Sequence, residues 1–588
     1  MNGIRGIINR NQDTEVPHVN KRENFIYDVK EFSGVYVERN TKNKFLNDKA
    51  FFETDKYIFL IEGVVFNIED LKHTYHQTNW EHTLVSMYEQ KGEAFFNDFR
   101  GTFNGFFYDK IEKVTIVFTD HIGDKPIYYY ENDSEFIFAS EINAILMLLK
   151  KNAITYTLDK KGAYSLLTHG YMIEDLTPFN EIKRLKAGSY IKIQEHLFSV
   201  SRYHLLTNTP DESMKDQEII DKMDYLFKQA IYRQTSKNKE YGYIDIAPLS
   251  AGLDSRMTTY ALAEQSKNIL SVTYSQSNYL DETVPKAISS ELKTHFLFKT
   301  LDNGLSLFYL DEMVQRTVGV VLYGGPAQVW DVFHLLDHSN IGVIHTGMLG
   351  DVVVGTFYKS LEKDKEVNIE DGVYSKFLID RLKYVLKDYK IEDYKNQEIF
   401  NFYNRGFNGA NMGSPLIFQE FSESYSPFYD IDFLEFCLTI PMEKRWGNYI
   451  YDKWVIDKYP NASKHAHNGR IIGKNKGKNF KLFGKNVTIY DLLPRTIKFL
   501  SIKLGIRKNS METKNHMNPF DYWYSTNYDL KNYMDDYYSD IINKVECQVL
   551  KKDLKNMYTN GNTTDKIQVL TFLSLIKNYF ISEDWLDE

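Results

Sequence analysis

Apolar and polar positions along the chain follow two rhythms, and the change between them falls near residue 207. Before it, β-branched and aromatic residues come in short runs parted by turn residues. "KYIFLIEGVVFNI" (56–68), "KVTIVFTD" (113–120) and "KPIYYY" (125–130) predict strands. "WEHTLVSMYEQKG" (80–92) and "ASEINAILMLLKK" (139–151) predict helices. Strands and helices mixed without strict alternation predict an α+β layered domain. The polar stretch "TNTPDESMKDQE" (207–218) then marks a boundary. Beyond it, Ile219, Ile220, Met223, Leu226, Phe227, Ala230 and Ile231 recur at helical spacing. A strand at 243–249, a tight turn and a helix from about Asp254 to Gln265 follow, with further buried strands at 268–274 and 341–347. Such units predict a parallel α/β sheet covered by helices on both faces, whose ligands sit at the carboxyl ends of the strands. "DKIQVLTFLSLIKNYF" (565–580) predicts an amphipathic helix packed on this second domain.

Composition narrows the class. A chain of 588 residues exceeds one core and implies two or more domains. With 43% apolar and 26% charged residues it folds, and a net charge of −9 argues against nucleic acid as a partner. Two cysteines, Cys437 and Cys547, give neither a disulfide framework nor a zinc cluster. No run approaches the ~18–20 apolar residues of a membrane span. The opening "MNGIRGIINRNQDTEV" lacks the apolar core of a signal peptide, so a cytoplasmic protein is expected. From Lys464 to Lys508 there are 12 Lys or Arg against one acid, Asp491; this basic run, containing "GKNKGKN", reads as a loop.

The sharpest chemical feature is "PLSAGLDSR" (248–256), a turn between strand and helix. Small residues let backbone N–H groups of Ser250, Gly252 and Ser255 approach an anion, and the helix start adds partial positive charge. Asp254 in that turn would repel phosphate unless a cation bridges them, which implies Mg²⁺. The plainer reading is a capped turn with Asp254 or Ser255 as the N-cap.

"PLSAGLDSR" resembles the pyrophosphate loop (S-G-G-x-D-S) of the asparagine synthetase family, with Ala251 at one glycine. Five further segments resemble that family in the same order: "FRGTFNGFFYDK" (99–110), "TDHIGDKPIYYY" (119–130), "FIFASEINAIL" (136–146), "HTGMLGD" (345–351) and "SESYSPFYDIDFLEFCLTIP" (422–441). The resemblance implies an N-terminal Ntn-hydrolase-like, four-layer αββα glutaminase domain over 1–205. It implies an ATP-pyrophosphatase synthetase domain over 206–588, which makes an acyl-adenylate and pyrophosphate before an amine attacks. Carried over, Ser250, Gly252, Asp254 and Ser255 would bind pyrophosphate, and Asp254 and Asp351 would hold Mg²⁺. Leu249, Val272, Thr346 and Gly347 would line the adenosine site. A late lysine of the family maps within 451–478, where Lys453, Lys464, Arg470 and Lys474 are candidates and Arg470 or Lys474 lies nearest the expected place. His465 and His467 lack the partners of a metal site.

Departures are equally informative. Asn2 stands where the family has its nucleophilic cysteine, and Asn offers no nucleophile for glutamine hydrolysis. The family's N-G-E-I-Y-N segment reads "EGVVFN" (62–67), so Glu62 replaces an amide donor and Val64 a carboxylate; its S-D-x-E run reads "WEHT" (80–83). In the synthetase half, Met348 replaces a glutamate, Val352 an acid and Tyr425 an arginine. Asp281 and Glu282 match a D-E pair and either face the substrate or cap the next helix. The expected activity is an AMP-forming amide ligase that joins a small-molecule or peptide carboxylate to ammonia or an amine, uses ATP and Mg²⁺, lacks glutaminase activity and leaves room for a homodimer. A cyclising or lactam-forming ligase, a sugar-acid amidating enzyme of surface glycan synthesis, and a nucleotide-binding pseudoenzyme are the alternatives.

Overall fold

The computed structural model describes residues 3–9, 24–32, 34–194, 197–356, 366–465, 472, 479–482, 485–488 and 510–581. Its first part has twelve strands: β1 Gly3–Asn9, β2 Phe25–Phe32, β3 Val35–Lys42, β4 Phe51–Glu53, β5 Tyr57–Val65, β6 Gly101–Asp109, β7 Val114–Thr119, β8 Tyr128–Glu131, β9 Glu135–Ala139, β10 Lys183–Arg184, β11 Ser189–Gln194 and β12 Leu197–Arg202. They form two antiparallel sheets, ordered β10-β8-β9-β1-β3-β2 and β12-β11-β7-β6-β5-β4.

Strand β5 shows why both faces are covered. Ile58 and Leu60 point into a core shared with Ile4, Val37, Phe136 and Phe138 of the other sheet. Phe59 and Ile61 point the opposite way, against Trp80, Leu84 and Met87 of the helix Trp80–Lys91. This period-two split, apolar on both sides, is what a strand buried between layers requires. Ile137 and Ala139 of β9 turn outward to the helices Ile142–Lys151 and Lys160–His169. The result is the expected helix–sheet–sheet–helix stack.

Two local expectations are corrected. The 125–130 run forms a strand only from Tyr128, because Lys125 belongs to a turn closed on Asp120. That carboxylate accepts the backbone N–H groups of Ile122, Asp124 and Lys125 at 3.1, 3.0 and 2.8 Å. The 139–151 helix starts at Ile142, after β9 has used Ala139.

The second part builds one parallel sheet from β13 Ile244–Pro248, β14 Ile269–Ser275, β15 His295–Thr300, β16 Ile341–His345 and β17 Ser424–Tyr425. Its order is β15-β14-β13-β16-β17. The winding reverses between β13 and β16, and at such a switch point the loops leaving adjacent strands splay apart into a crevice. Helices Asp216–Tyr241 and Leu253–Gln265 cover one face and Gly324–Phe333 the other.

The C-terminal helix runs Thr563–Ile576 and is buried nearly all round rather than on one stripe. It packs on both halves of the chain: Gln568 donates to the carbonyls of Leu166 and Thr168, and Leu570 and Leu573 share a core with Leu310 and Val314. A helix apolar on every side is stable only when enclosed. Among the described residues no helix is long and apolar enough to cross a membrane.

Candidate functional site

The loops after β13 and β16 meet at the switch point. Strand β13 ends at Pro248, "LSAG" turns, and a helix starts at Leu253 with Gly252 as N-cap and no side-chain cap. The capped-turn reading with Asp254 or Ser255 therefore does not hold. Ala251 replaces a glycine without strain because its φ is not positive. The turn is tied by its own side chains. The Ser250 N–H donates to Ser255 Oγ (3.0 Å), and the Gly252 N–H to Ser250 Oγ (3.1 Å). The Ala251 N–H donates to Asp281 Oδ1 (2.7 Å). Asp281 thus reaches back to the turn, which is neither of its expected roles, while Glu282 accepts from the Asn278 N–H before its helix.

The second loop is pressed against the first. A Cβ on Gly347 would lie 2.4 Å from the Ser255 nitrogen, and one on Gly350 would lie 2.5 Å from Asp254 Cγ. Only glycine permits that approach. Leu349 between them holds a positive φ of 64°. The contact brings two acids together: the Asp351 N–H donates to Asp254 Oδ2 (2.9 Å), and the Tyr451 hydroxyl donates to Asp254 Oδ1 (2.7 Å). Burial, and then the adjacent Asp351 carboxylate, push Asp254 up to about 8. Two adjoining carboxylates beside an uncapped helix start fit a divalent cation, which would relieve their repulsion.

Leu249 and Val272 are neighbours, with the Leu249 N–H donating to the Val272 carbonyl (2.8 Å), but both side chains are buried in the core. Thr346 is buried too and donates its N–H to the Tyr425 carbonyl (2.9 Å). The structure thus gathers Ser250, Gly252, Asp254, Ser255, Thr346, Gly347 and Asp351 at one crevice. Lys453 is turned away to Asp216 (2.5 Å), and Lys464 to Asn461 Oδ1 (2.6 Å). His465 pairs with Glu291 (3.1 Å). Asn2, His467, Arg470 and Lys474 lie outside the described residues, as does "GKNKGKN" up to its last residue, Asn479, which begins a short strand, Asn479–Leu482, within the run read as a loop.

Three residues escaped the reading of the sequence as site components: Arg256, Tyr451 and Asp281 in its observed role. Arg256 is fully buried and donates to the carbonyls of Ala251 (2.8 Å), Ala462 (2.8 Å) and His465 (2.9 Å), clamping the turn to the chain 206 residues on. Its adjacency to Ser255 was the one available signal.

Beside the crevice opens a cavity of about 710 Å³. Met348, Leu349, Asp351 and Val352 form one side of it. Tyr425 is absent from its wall and is buried between Phe66 and Tyr429 (ring centroids 5.0 and 4.9 Å). In the first part of the chain, Glu62 is enclosed and paired with Lys49 Nζ (3.1 Å) and the Thr41 hydroxyl (2.6 Å). Lys49 and Lys125 also reach Glu423 beside β17 (3.7 and 2.8 Å), so this ionic lattice joins the two parts. Val64 is wholly buried.

A family model described as a glutamine amidotransferase domain matches residues 49–204. Asparagine synthetase (glutamine-hydrolyzing) 2 of Bacillus subtilis (strain 168) is 25% identical over 371 residues, 57% of this chain and 47% of its own length. Asparagine synthetase (glutamine-hydrolyzing) 3 of the same organism is 25% identical over 221 residues, 35% of this chain and 34% of its own. The chain thus spans about a third to three-fifths of the length of the curated relatives it matches. Among solved structures, glutamine phosphoribosylpyrophosphate amidotransferase from B. subtilis, complexed with ADP and GMP, is 11% identical. It covers 45% of this chain and 51% of its own with a TM-score of 0.21, too low to carry an argument. Together with the antiparallel sheet pair and the parallel sheet behind it, these likenesses make the chain similar to the glutamine-hydrolysing asparagine synthetases, with a glutamine amidotransferase domain matched over residues 49–204.

Proposed function

We propose that the protein is an ATP-dependent amide ligase that adenylates a carboxylate, releases pyrophosphate and passes the acyl group to ammonia or an amine. The observation that carries this reading is the meeting of Asp254 and Asp351 at the switch point, beside a helix start without a side-chain cap. In this reading the first-turn N–H groups of the helix and the hydroxyls of Ser250 and Ser255 receive the β,γ-phosphates. Asp254 and Asp351 hold Mg²⁺, which offsets charge on the leaving pyrophosphate. Leu249 and Val272 meet the adenosine through backbone only, since their side chains are buried. Arg470 or Lys474 steadies the adenylation transition state.

Residues 1–205 serve this activity as a scaffold without glutaminase chemistry. Asn2 supplies no nucleophile, and Glu62, whose Oε1 is held by Lys49 and Thr41, is a carboxylate where the family has an amide donor. The acid differs from aspartate in this reading, and a larger amine or free ammonia attacks it, because Met348 and Val352 make an apolar edge where the family carries acids.

ATP–pyrophosphate exchange across a panel of carboxylic acids tests the proposal. Exchange with at least one acid, lost in Asp254→Asn, is expected; equal exchange in that variant would sink the mechanism. Glutamate release from glutamine that depends on residue 2 would sink the scaffold reading. A second reading, a nucleotide-binding pseudoenzyme, is favoured by one observation: the N–H groups of Ser250, Ala251 and Gly252 are satisfied by the protein's own side chains. ATP binding without exchange for any acid would select it.

A further inference from the structure

Enclosed polar side chains are hydrogen-bonded as a rule, so one left unpaired at a cavity points to what fills that cavity. The wall of the 710 Å³ cavity carries two such residues, Gln328 and Tyr171. Each is only 3% exposed. Among the described residues neither the Gln328 carboxamide nor the Tyr171 hydroxyl has a hydrogen-bond partner. Their polar atoms are not sealed in protein but keep contact with the open space.

Local structure explains why both are presented. Gln328 follows Gly324 by four residues and Gly325 by three on the helix Gly324–Phe333, so the three share one face. Helical side chains lean toward the helix N-terminus, which carries Gln328 over these glycines. A Cβ on Gly325 would meet nothing within 4 Å, so the space in front of the carboxamide is open. Tyr171 comes from the first part of the chain and pairs with Val321, just before that helix; the Leu322 N–H donates to the Gly170 carbonyl (3.1 Å). Its ring lies where a Cβ on Gly409 would come within 2.9 Å of Cδ1. Arg405, the cation of the wall, is already engaged within the protein. A carboxamide and a phenol each donate and accept at once. A hydroxyl or an amide matches both functions, whereas a carboxylate only accepts and an ammonium only donates.

Resting on the ligase reading above, we infer that the acid taken into this cavity carries an uncharged hydrogen-bonding group, a hydroxyl or an amide, on an otherwise apolar body, and that Gln328 and Tyr171 select it through that group. Leu322, Phe520 and Ile567 give the body apolar surface, as do Met348 and Val352 on the loop of Asp351. Cavities of about 300–1,000 Å³ enclose drug-sized molecules, so the body exceeds that of a four-carbon amino acid.

Calorimetric titration of the full chain with two pairs of acids of matched shape provides the test: 6-hydroxyhexanoate against heptanoate, and adipamate against 6-methylheptanoate. In at least one pair the polar acid should bind about 5- to 100-fold more tightly, the size expected when an apolar group leaves a buried donor or acceptor unpaired. The pair that shows the difference tells a hydroxyl from an amide. Gln328→Met, which keeps the volume, should erase the difference, and Tyr171→Phe should reduce it. Polar acids that bind no more tightly than their apolar counterparts, with Gln328 and Tyr171 then holding water only, would overturn the inference. So would no binding of any of the four at millimolar concentration, or equal weakening of both members of a pair by Gln328→Met. Should Gln328→Met fail to fold, the paired comparison in the unaltered protein and in Tyr171→Phe decides. Pyrophosphate exchange failing with every acid while the binding difference persists would remove the ligase reading and leave the Gln328 site standing. Exchange equally efficient with both members of each pair would do the reverse.

Discussion

Glu423 is buried and Asp254 half-buried, and the two acids are balanced in opposite ways. Burial works to raise the Glu423 carboxyl, but Lys125 and Lys49 overcome it and hold it below its ordinary value. Asp254 is met instead by a tyrosine hydroxyl and a backbone N–H, neither of them charged, and beside Asp351 it is pushed up to about 8. The first carboxylate is neutralised by the protein and works as structure. The second leaves a charge deficit that a proton or a metal ion from outside must fill, which is what a site for exchangeable charge looks like.

The strongest way to break this contrast is Asp254→Asn. Exchange activity should fall on the order of 10²–10³-fold, as for loss of a principal electrostatic group, with little loss of stability. Equal loss of folding and activity in that variant would mean that Asp254 is structural like Glu423. Next in size, Lys125→Met removes the nearer of the two lysines paired with Glu423 and should cost up to about 3–5 kcal/mol in denaturant unfolding. The double variant Lys125→Met/Glu423→Gln should recover most of that cost; no recovery would show that Lys125 acts through packing alone.

Proton linkage gives a smaller effect with a defined sign. Folded Asp254 keeps its proton to about pH 8, whereas the unfolded carboxyl ionises near 3.8. The folded state therefore binds more protons between those values, and stability falls as pH rises through that window. Unfolding free energies from pH 5 to 8 in a chelator should decline more steeply for the unaltered protein than for Asp254→Asn, and Mg²⁺ should stabilise more at pH 8 than at pH 6. Smallest, Tyr451→Phe removes one hydrogen bond and should lower exchange several-fold, at about 1 kcal/mol. Because that bond holds Asp254 down, the falling limb should move to higher pH; an unmoved limb would detach Tyr451 from the acid pair.

The parallel sheet and its first strand-to-helix turn were legible because their signals are local: a short apolar strand, small turn residues and a helix in one unbroken stretch. Strand β3 was not, since "VYVERNTK" carries four charged or amide side chains that look solvated until Arg39 and Glu38 are seen buried. The ionic lattice was hidden for the same reason. Nothing near Lys125 announces Glu423, almost 300 residues later, and a lysine's charge reads as surface unless its partner is known. Tyr451 and the carbonyls held by Arg256 are likewise close only in space. Asp351 was found through the resemblance of "HTGMLGD" to a family segment, whereas the bond from Asp281 to the turn was not, because its partner sits 30 residues back.

The self-bonded turn has a consequence for timing. Ser250, Ser255 and Asp281 are tethered acceptors for the turn's own N–H groups, so any anion settling there competes with groups whose effective concentration never falls by dilution. Such internal competitors weaken retention more than they slow arrival, because each bond to the visitor is replaced the moment it loosens. Anions would turn over rapidly at this site, and a product carrying only phosphate would be the first to be displaced.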